Sequence, residues 1–114
     1  MNTINVPLGG QIKPFEPLLD AISIVESGKN NLALNEEEGA YGALQVRQVR
    51  LDHYFQLTGK RYGLTDMYDY EKEKEVFIYF AMRIGDNQFE QISKRWNGSG
   101  PLTEIYWNKV KTLL

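Results

Sequence analysis

Leu18-Leu19-Asp20-Ala21-Ile22-Ser23-Ile24-Val25-Glu26-Ser27-Gly28 carries apolar residues at 18, 19, 22 and 25. That i, i+1, i+4, i+7 spacing predicts a helix with one face in a core. Pro17 is placed to open it and Gly28 to close it. Glu26 then falls in the last turn, beside carbonyl ends that carry partial negative charge, so its ionisation is disfavoured; burial would disfavour it further. Both effects favour a carboxyl that keeps its proton.

Outward from this helix the chain reads as mainly α. Residues 1–14 hold two prolines and a Gly-Gly pair with no sustained period, which predicts an extended arm lying on the domain formed by residues 15–114. Lys29 to Glu38 is rich in Asn and Glu, as expected of a polar loop or small β-hairpin forming a wall beside Glu26. Leu44, Val46, Val49, Tyr54 and Leu57 predict a second helix over 43–57 stopped at Gly59, its first turn carrying Gly39-Ala40-Tyr41-Gly42-Ala43-Leu44-Gln45. Asp66 or Asp69 is expected to cap a third helix running to Ile84, with Val76, Phe77, Phe80 and Ile84 on one face and Gly85 beyond; this is the expected core helix. Phe89, Ile92 and Trp96 keep helical spacing to Asn97, and Pro101 can start a last helix bearing Ile105, Tyr106, Val110 and Leu113.

Composition narrows the chemistry. The 114 residues suit one domain that buries about two thirds of its unfolded surface. There is no cysteine and a single histidine, His53, so neither a disulfide, a thiolate nucleophile nor a metal centre is expected, and no cofactor is called for. His53 is read as a half-exposed helical residue. Thirteen basic and fifteen acidic side chains give a net charge of −2 without long blocks of either sign, a poor match for nucleic-acid phosphates. Arg47 and Arg50, three apart, read as a solvated helix face. Apolar runs fall far short of the ~20 residues that cross a bilayer, and the first residues lack the pattern of a secretion signal; a soluble monomer made in the cytoplasm is the expectation.

Three separated pieces occur in order: Val25-Glu26-Ser27; Gly39-Ala40-Tyr41-Gly42-Ala43-Leu44-Gln45-Val46; and Arg95-Trp96-Asn97-Gly98 followed by Tyr106-Trp107-Asn108-Lys109-Val110. Together they resemble the lysozyme-like superfamily, specifically its soluble lytic transglycosylase domain, over about residues 15–113. In that family the pieces read Glu-Ser, Gly-Ala-x-Gly-Leu-Met-Gln-Ile and Tyr-Asn-Ala-Gly, with a final tyrosine helix. Here Ala43-Leu44 stands for Leu-Met, Trp96 for the tyrosine, and Gly98-Ser99-Gly100 departs from the Asn-Ala-Gly spacing.

The resemblance implies a fold of several helices around a core helix and an enzyme that cuts the MurNAc–GlcNAc β-1,4 bond of peptidoglycan strands. It makes Glu26 the catalytic acid, with Tyr41 and Gln45 lining the cleft, Asn97 across from the acid and Tyr106 reaching back towards it; Trp96 keeps an aromatic plane for a sugar ring. The residue types suit this chemistry, because breaking a glycosidic bond needs a proton on the leaving oxygen while positive charge builds at the anomeric carbon. The glycines of the second piece would let main-chain groups approach a polymer closely. Ser27 reads as a capping or packing residue, since no base has the spacing to activate it.

Two products remain open. Without a second carboxylate, Glu26 can act as acid and then base and leave a 1,6-anhydro end, the lytic transglycosylase route. If Glu36, Glu37 or Glu38 lies roughly 6.5–9.5 Å from it, that group can activate water and make an inverting muramidase like the goose-type lysozymes. A lysozyme-like module that grips glycan, or builds a virion, without cutting is the reading from another class. Small size and the missing export signal suggest a phage endolysin or virion-associated lysin, or a bacterial enzyme expressed without its leader, acting at the bacterial cell wall.

Overall fold

The computed structural model describes residues 12–114, so most of the expected N-terminal arm (residues 1–11) lies outside the described residues. The rest of that arm is not extended: Lys13–Phe15 form a 3-10 turn that places Phe15 in the core and leads into helix α1, Glu16–Ser27. Leu18, Leu19, Ala21 and Ile22 are the buried face of α1. The helix stops where expected, at Gly28 in the left-handed conformation (φ 65°), whose N–H returns to the Ile24 carbonyl.

The polar segment that follows is a hairpin of two short antiparallel strands, β1 (Leu34–Asn35) and β2 (Ala40–Tyr41), paired Leu34 with Tyr41 and Asn35 with Ala40. The second helix departs from expectation. Helix α2 spans Gln48–Thr58, so the Gly39–Val46 piece is strand β2 and the turn after it, not a first helical turn. Tyr41 forms an antiparallel bridge with Val46, and Gln45 takes a positive φ of 56° between them. Apolar spacing misled here because Leu44 and Val46 are buried by the turn itself, while Val49, counted as part of the helical stripe, is 73% exposed.

A 3-10 turn, Leu64–Tyr68, precedes α3, Tyr70–Ile84. Of the two cap candidates Asp69 holds α3, accepting the Glu71 N–H, whereas Asp66 accepts the Gly63 N–H and caps the 3-10 turn. Two further helices, α4 (Phe89–Asn97) and α5 (Leu102–Lys111), pack against one another. In α5 the buried residues are Thr103, Tyr106 and Val110; Ile105 and Leu113 face outward.

The chain is thus mainly helical. Its buried apolar residues form two main clusters, one of Phe15, Leu18, Leu19, Ala21, Ile22, Leu44, Phe77, Ile78, Ala81, Ile92, Tyr106 and Val110, the other of Val46, Leu51, Tyr54, Tyr62, Met67 and Val76. Helix α3 supplies side chains to both, and Trp96 packs against both. Val76 and Phe77, adjacent on the buried side of α3, fall in the second and the first cluster respectively, and so the helix joins them. No helix among the described residues is long and apolar enough to cross a membrane.

Candidate functional site

The end of α1, the loop 42–46 and the end of α4 converge on one cleft of ≈ 290 Å³. Ser27 fastens the first two: its Oγ donates to the Ala43 carbonyl at 2.8 Å and accepts the Asn30 N–H at 3.0 Å. Trp96 fastens the third, its Nε1 donating to the Leu44 carbonyl at 3.1 Å. The loop is therefore held from both sides, and Gln45 keeps its positive φ with its main-chain N–H and its Nε2 both bonded to the Gly42 carbonyl.

Glu26 lines this cleft, half-buried. Tyr106, brought from α5, donates its hydroxyl to Glu26 Oε2 at 2.9 Å. Burial raises the Glu26 pKa above its ordinary value of 4.5, more than the Tyr106 hydrogen bond and the nearby charge of Arg47 lower it. The same carboxylate, with burial as the larger cause, pushes the Tyr106 hydroxyl far above the usual tyrosine range, so the phenol stays a donor. Oε2 is engaged by Tyr106, and Oε1 has no hydrogen-bond partner among the described residues.

Other expected site residues divide. Gln45, Trp96 and Asn97 line the cleft with Glu26, and so does Glu38, together with Asn35 and Arg47. Glu36 and Glu37 are exposed and do not line it. Glu38 is tied down by an ion pair with Arg47 and a hydrogen bond from Asn35 Nδ2 at 3.2 Å. Tyr41 is not a lining residue either: its ring lies against Tyr68, centroids 5.5 Å apart, next to the second cluster. Trp96 is half-buried, with neighbours on its ring. Phe77 meets it edge-on at 4.9 Å, and the Arg50 guanidinium sits 4.6 Å from its ring centroid.

Arg50 corrects the solvated-pair reading. Only Arg47 is exposed; Arg50 is half-buried, donating from Nη2 to the Arg95 and Trp96 carbonyls at 3.0 and 3.3 Å and stacking on both Trp96 and Phe80. It thereby neutralises carbonyl ends in the last turn of α4.

Sequence reading also missed Glu73, a fully buried carboxyl in α3 directly behind the loop. Its Oε2 accepts the Leu44 N–H at 3.0 Å, while Oε1 has no hydrogen-bond partner among the described residues. Burial, reinforced by the charge of Glu26, raises its pKa to about 8 against the lowering effect of the loop's N–H groups. At neutral pH Glu73 is therefore mostly a carboxylic acid, which suits an oxygen enclosed without a partner. One signal was present: Glu73 precedes Val76 and Phe77 by three and four positions and so shares their buried face.

Gly42 shows how closely these parts fit. A Cβ on this residue (φ 87°) would lie 2.3 Å from the Met67 carbonyl oxygen and 2.5 Å from Glu73 Oε2. The protein interior behind the loop is enough to require the glycine. No group of His, Cys, Asp and Glu side chains suited to a metal occurs among the described residues. No family model matches the chain, and neither a characterised protein nor a solved structure matches it.

Proposed function

We propose that this chain is a lysozyme-like enzyme of the soluble lytic transglycosylase kind, cutting the MurNAc–GlcNAc β-1,4 bond of peptidoglycan at the bacterial cell wall. The observation that carries the reading is Glu26: a half-buried carboxyl on a cleft, its pKa raised by burial, with one oxygen fixed by Tyr106 and the other without a hydrogen-bond partner among the described residues. A group of this kind keeps its proton to higher pH than a solvated glutamate does, which suits it to protonate a leaving oxygen. Gln45 and Asn97 supply amides on the same cleft for a glycan's acetamido and hydroxyl groups.

In the proposed reaction the Glu26 proton passes to the leaving glycosidic oxygen as the bond to the anomeric carbon breaks. The substrate's own N-acetyl group stabilises the positive carbon. Glu26, now a carboxylate, takes the proton of the C6 hydroxyl, and that oxygen closes on the anomeric carbon to give a 1,6-anhydro end. Glu38 favours a second reading, because it is a further carboxylate on the cleft; as a base for water it would make the enzyme an inverting muramidase. Its ion pair with Arg47 weighs against that role, since a carboxylate held by a guanidinium is a weaker base.

Mass spectrometry of muropeptides released from purified cell walls tests both. Anhydro ends are expected; reducing ends transfer the assignment to the hydrolase with Glu38. Glu26→Gln should lower the rate roughly 10²–10⁴-fold with the fold retained, the usual contribution of a general acid. An unchanged rate in the variant overturns Glu26 as the acid, and walls left intact by the parent chain leave a module that grips glycan without cutting.

A further inference from the structure

On the far side of Trp96 and Arg50 from Glu26 lies a second pocket of ≈ 230 Å³, which shares those two residues with the catalytic cleft. Phe80 and Ile84 of α3 and Ile92 and Trp96 of α4 give it apolar walls. Its rim is cationic: Arg50, Arg83 and Arg95 all line it.

The pairing of the arginines sets this pocket apart. The chain has five, and the two outside the pocket are each matched to an acid, Arg47 to Glu38 and Arg61 to Asp52. None of the three in the pocket pairs with a carboxylate among the described residues, and residues 1–11 contain neither Asp nor Glu. This happens in a chain with more acidic than basic side chains. Arg50 is already partly engaged by the α4 carbonyls, through Nη2 alone. Arg83 and Arg95 are exposed; Arg83 lies over the Tyr79 ring, 5.8 Å from its centroid, a contact that leaves the N–H groups at the edge of its fork open to an anion. Guanidinium groups bind carboxylates through two parallel hydrogen bonds, and an unpaired set around apolar walls is complementary to an anion that carries a small apolar group.

The geometry points to a subsite for the C-terminal carboxylate of a short peptide with small apolar side chains; resting on the reading of the preceding subsection, this peptide is the stem branch of the same strand that Glu26 cuts. The volume admits one or two small residues and lies below the roughly 300–1,000 Å³ of pockets that enclose drug-sized ligands. A bare phosphate would need the rim but not the walls. Because Trp96 and Arg50 belong to both cavities, a strand in the cleft can place its branch in the pocket without leaving the surface.

The test has two arms. In the first, N-acetyl-D-alanyl-D-alanine and its C-terminal amide are titrated against the full chain by NMR. The acid is expected to shift the Trp96 indole and the Ile84 and Ile92 methyl signals, and the amide not to. Arg83→Ala with Arg95→Ala should weaken the acid at least about tenfold, as loss of charge-assisted hydrogen bonds does. Equal binding of acid and amide, shifts elsewhere, or displacement of the peptide by an equal concentration of inorganic phosphate would overturn the proposal. In the second arm, KM is compared for strands bearing stem peptides and strands stripped of them by an amidase. The parent chain should prefer the bearing strands, and the double variant should lose that preference through KM and not kcat. No preference in the parent chain would sever the link between pocket and strand. If no strand is cut at all, the enzymatic reading fails while the peptide titration still decides the pocket.

Discussion

Replacing Glu73 by Gln is predicted to stabilise the protein at alkaline pH and to leave it nearly unchanged in acid. The carboxyl is fully buried, and its pKa is raised from an ordinary 4.5 to about 8. In that interval the folded chain holds a proton that the unfolded chain has released, so stability falls as pH rises from about 4.5 and levels off above about 8. At about 1.36 kcal/mol per pH unit the interval bounds the loss at roughly 5 kcal/mol. Glutamine is neutral throughout, keeps an acceptor for the Leu44 N–H, and has nearly the same volume. Urea denaturation of both proteins at intervals between pH 4.5 and 8.5 gives the two stability curves. Glu26 contributes a slope of the same sign to both, so their difference reports Glu73 together with its coupling to Glu26. The difference should be near zero or slightly unfavourable to Gln at pH 4.5 and reach about 2–5 kcal/mol in its favour at pH 8.5. Curves that stay parallel within about 0.5 kcal/mol would refute the claim that Glu73 is enclosed as a neutral acid.

Gly42→Ala should cost roughly 2–5 kcal/mol, combining a left-handed backbone with a Cβ driven into the Met67 carbonyl and Glu73. Gly39→Ala, equally left-handed (φ 63°) but facing open space, should cost only about 1–2 kcal/mol, and equal losses in thermal denaturation would show that the close approach is not real. Tyr106→Phe removes a hydrogen bond that favours the Glu26 carboxylate, so the alkaline limb of the activity profile should move to higher pH; a move the other way would mean that Tyr106 does not donate to it.

Local features were legible wherever neighbours in sequence decide the outcome. The helix ending at Gly28, the Asn- and Glu-rich hairpin and the stop at Gly85 follow from period, turn chemistry and caps. So does the position of Glu26 in a last helical turn. What sequence could not reveal is which charged groups the fold removes from water. Glu73 and Arg50 sit in charged surroundings along the chain and would normally be counted as solvated. They can be enclosed only because distant groups compensate them: the Leu44 N–H reaches Glu73 from 29 residues away, and the Arg95 and Trp96 carbonyls reach Arg50 from 45 and 46. The partial enclosure of Glu26 is compensated in the same way, by a tyrosine 80 residues along the chain. Periodicity determines which face of a helix is apolar; the partners that make it tolerable to bury a charge there are supplied by tertiary packing alone.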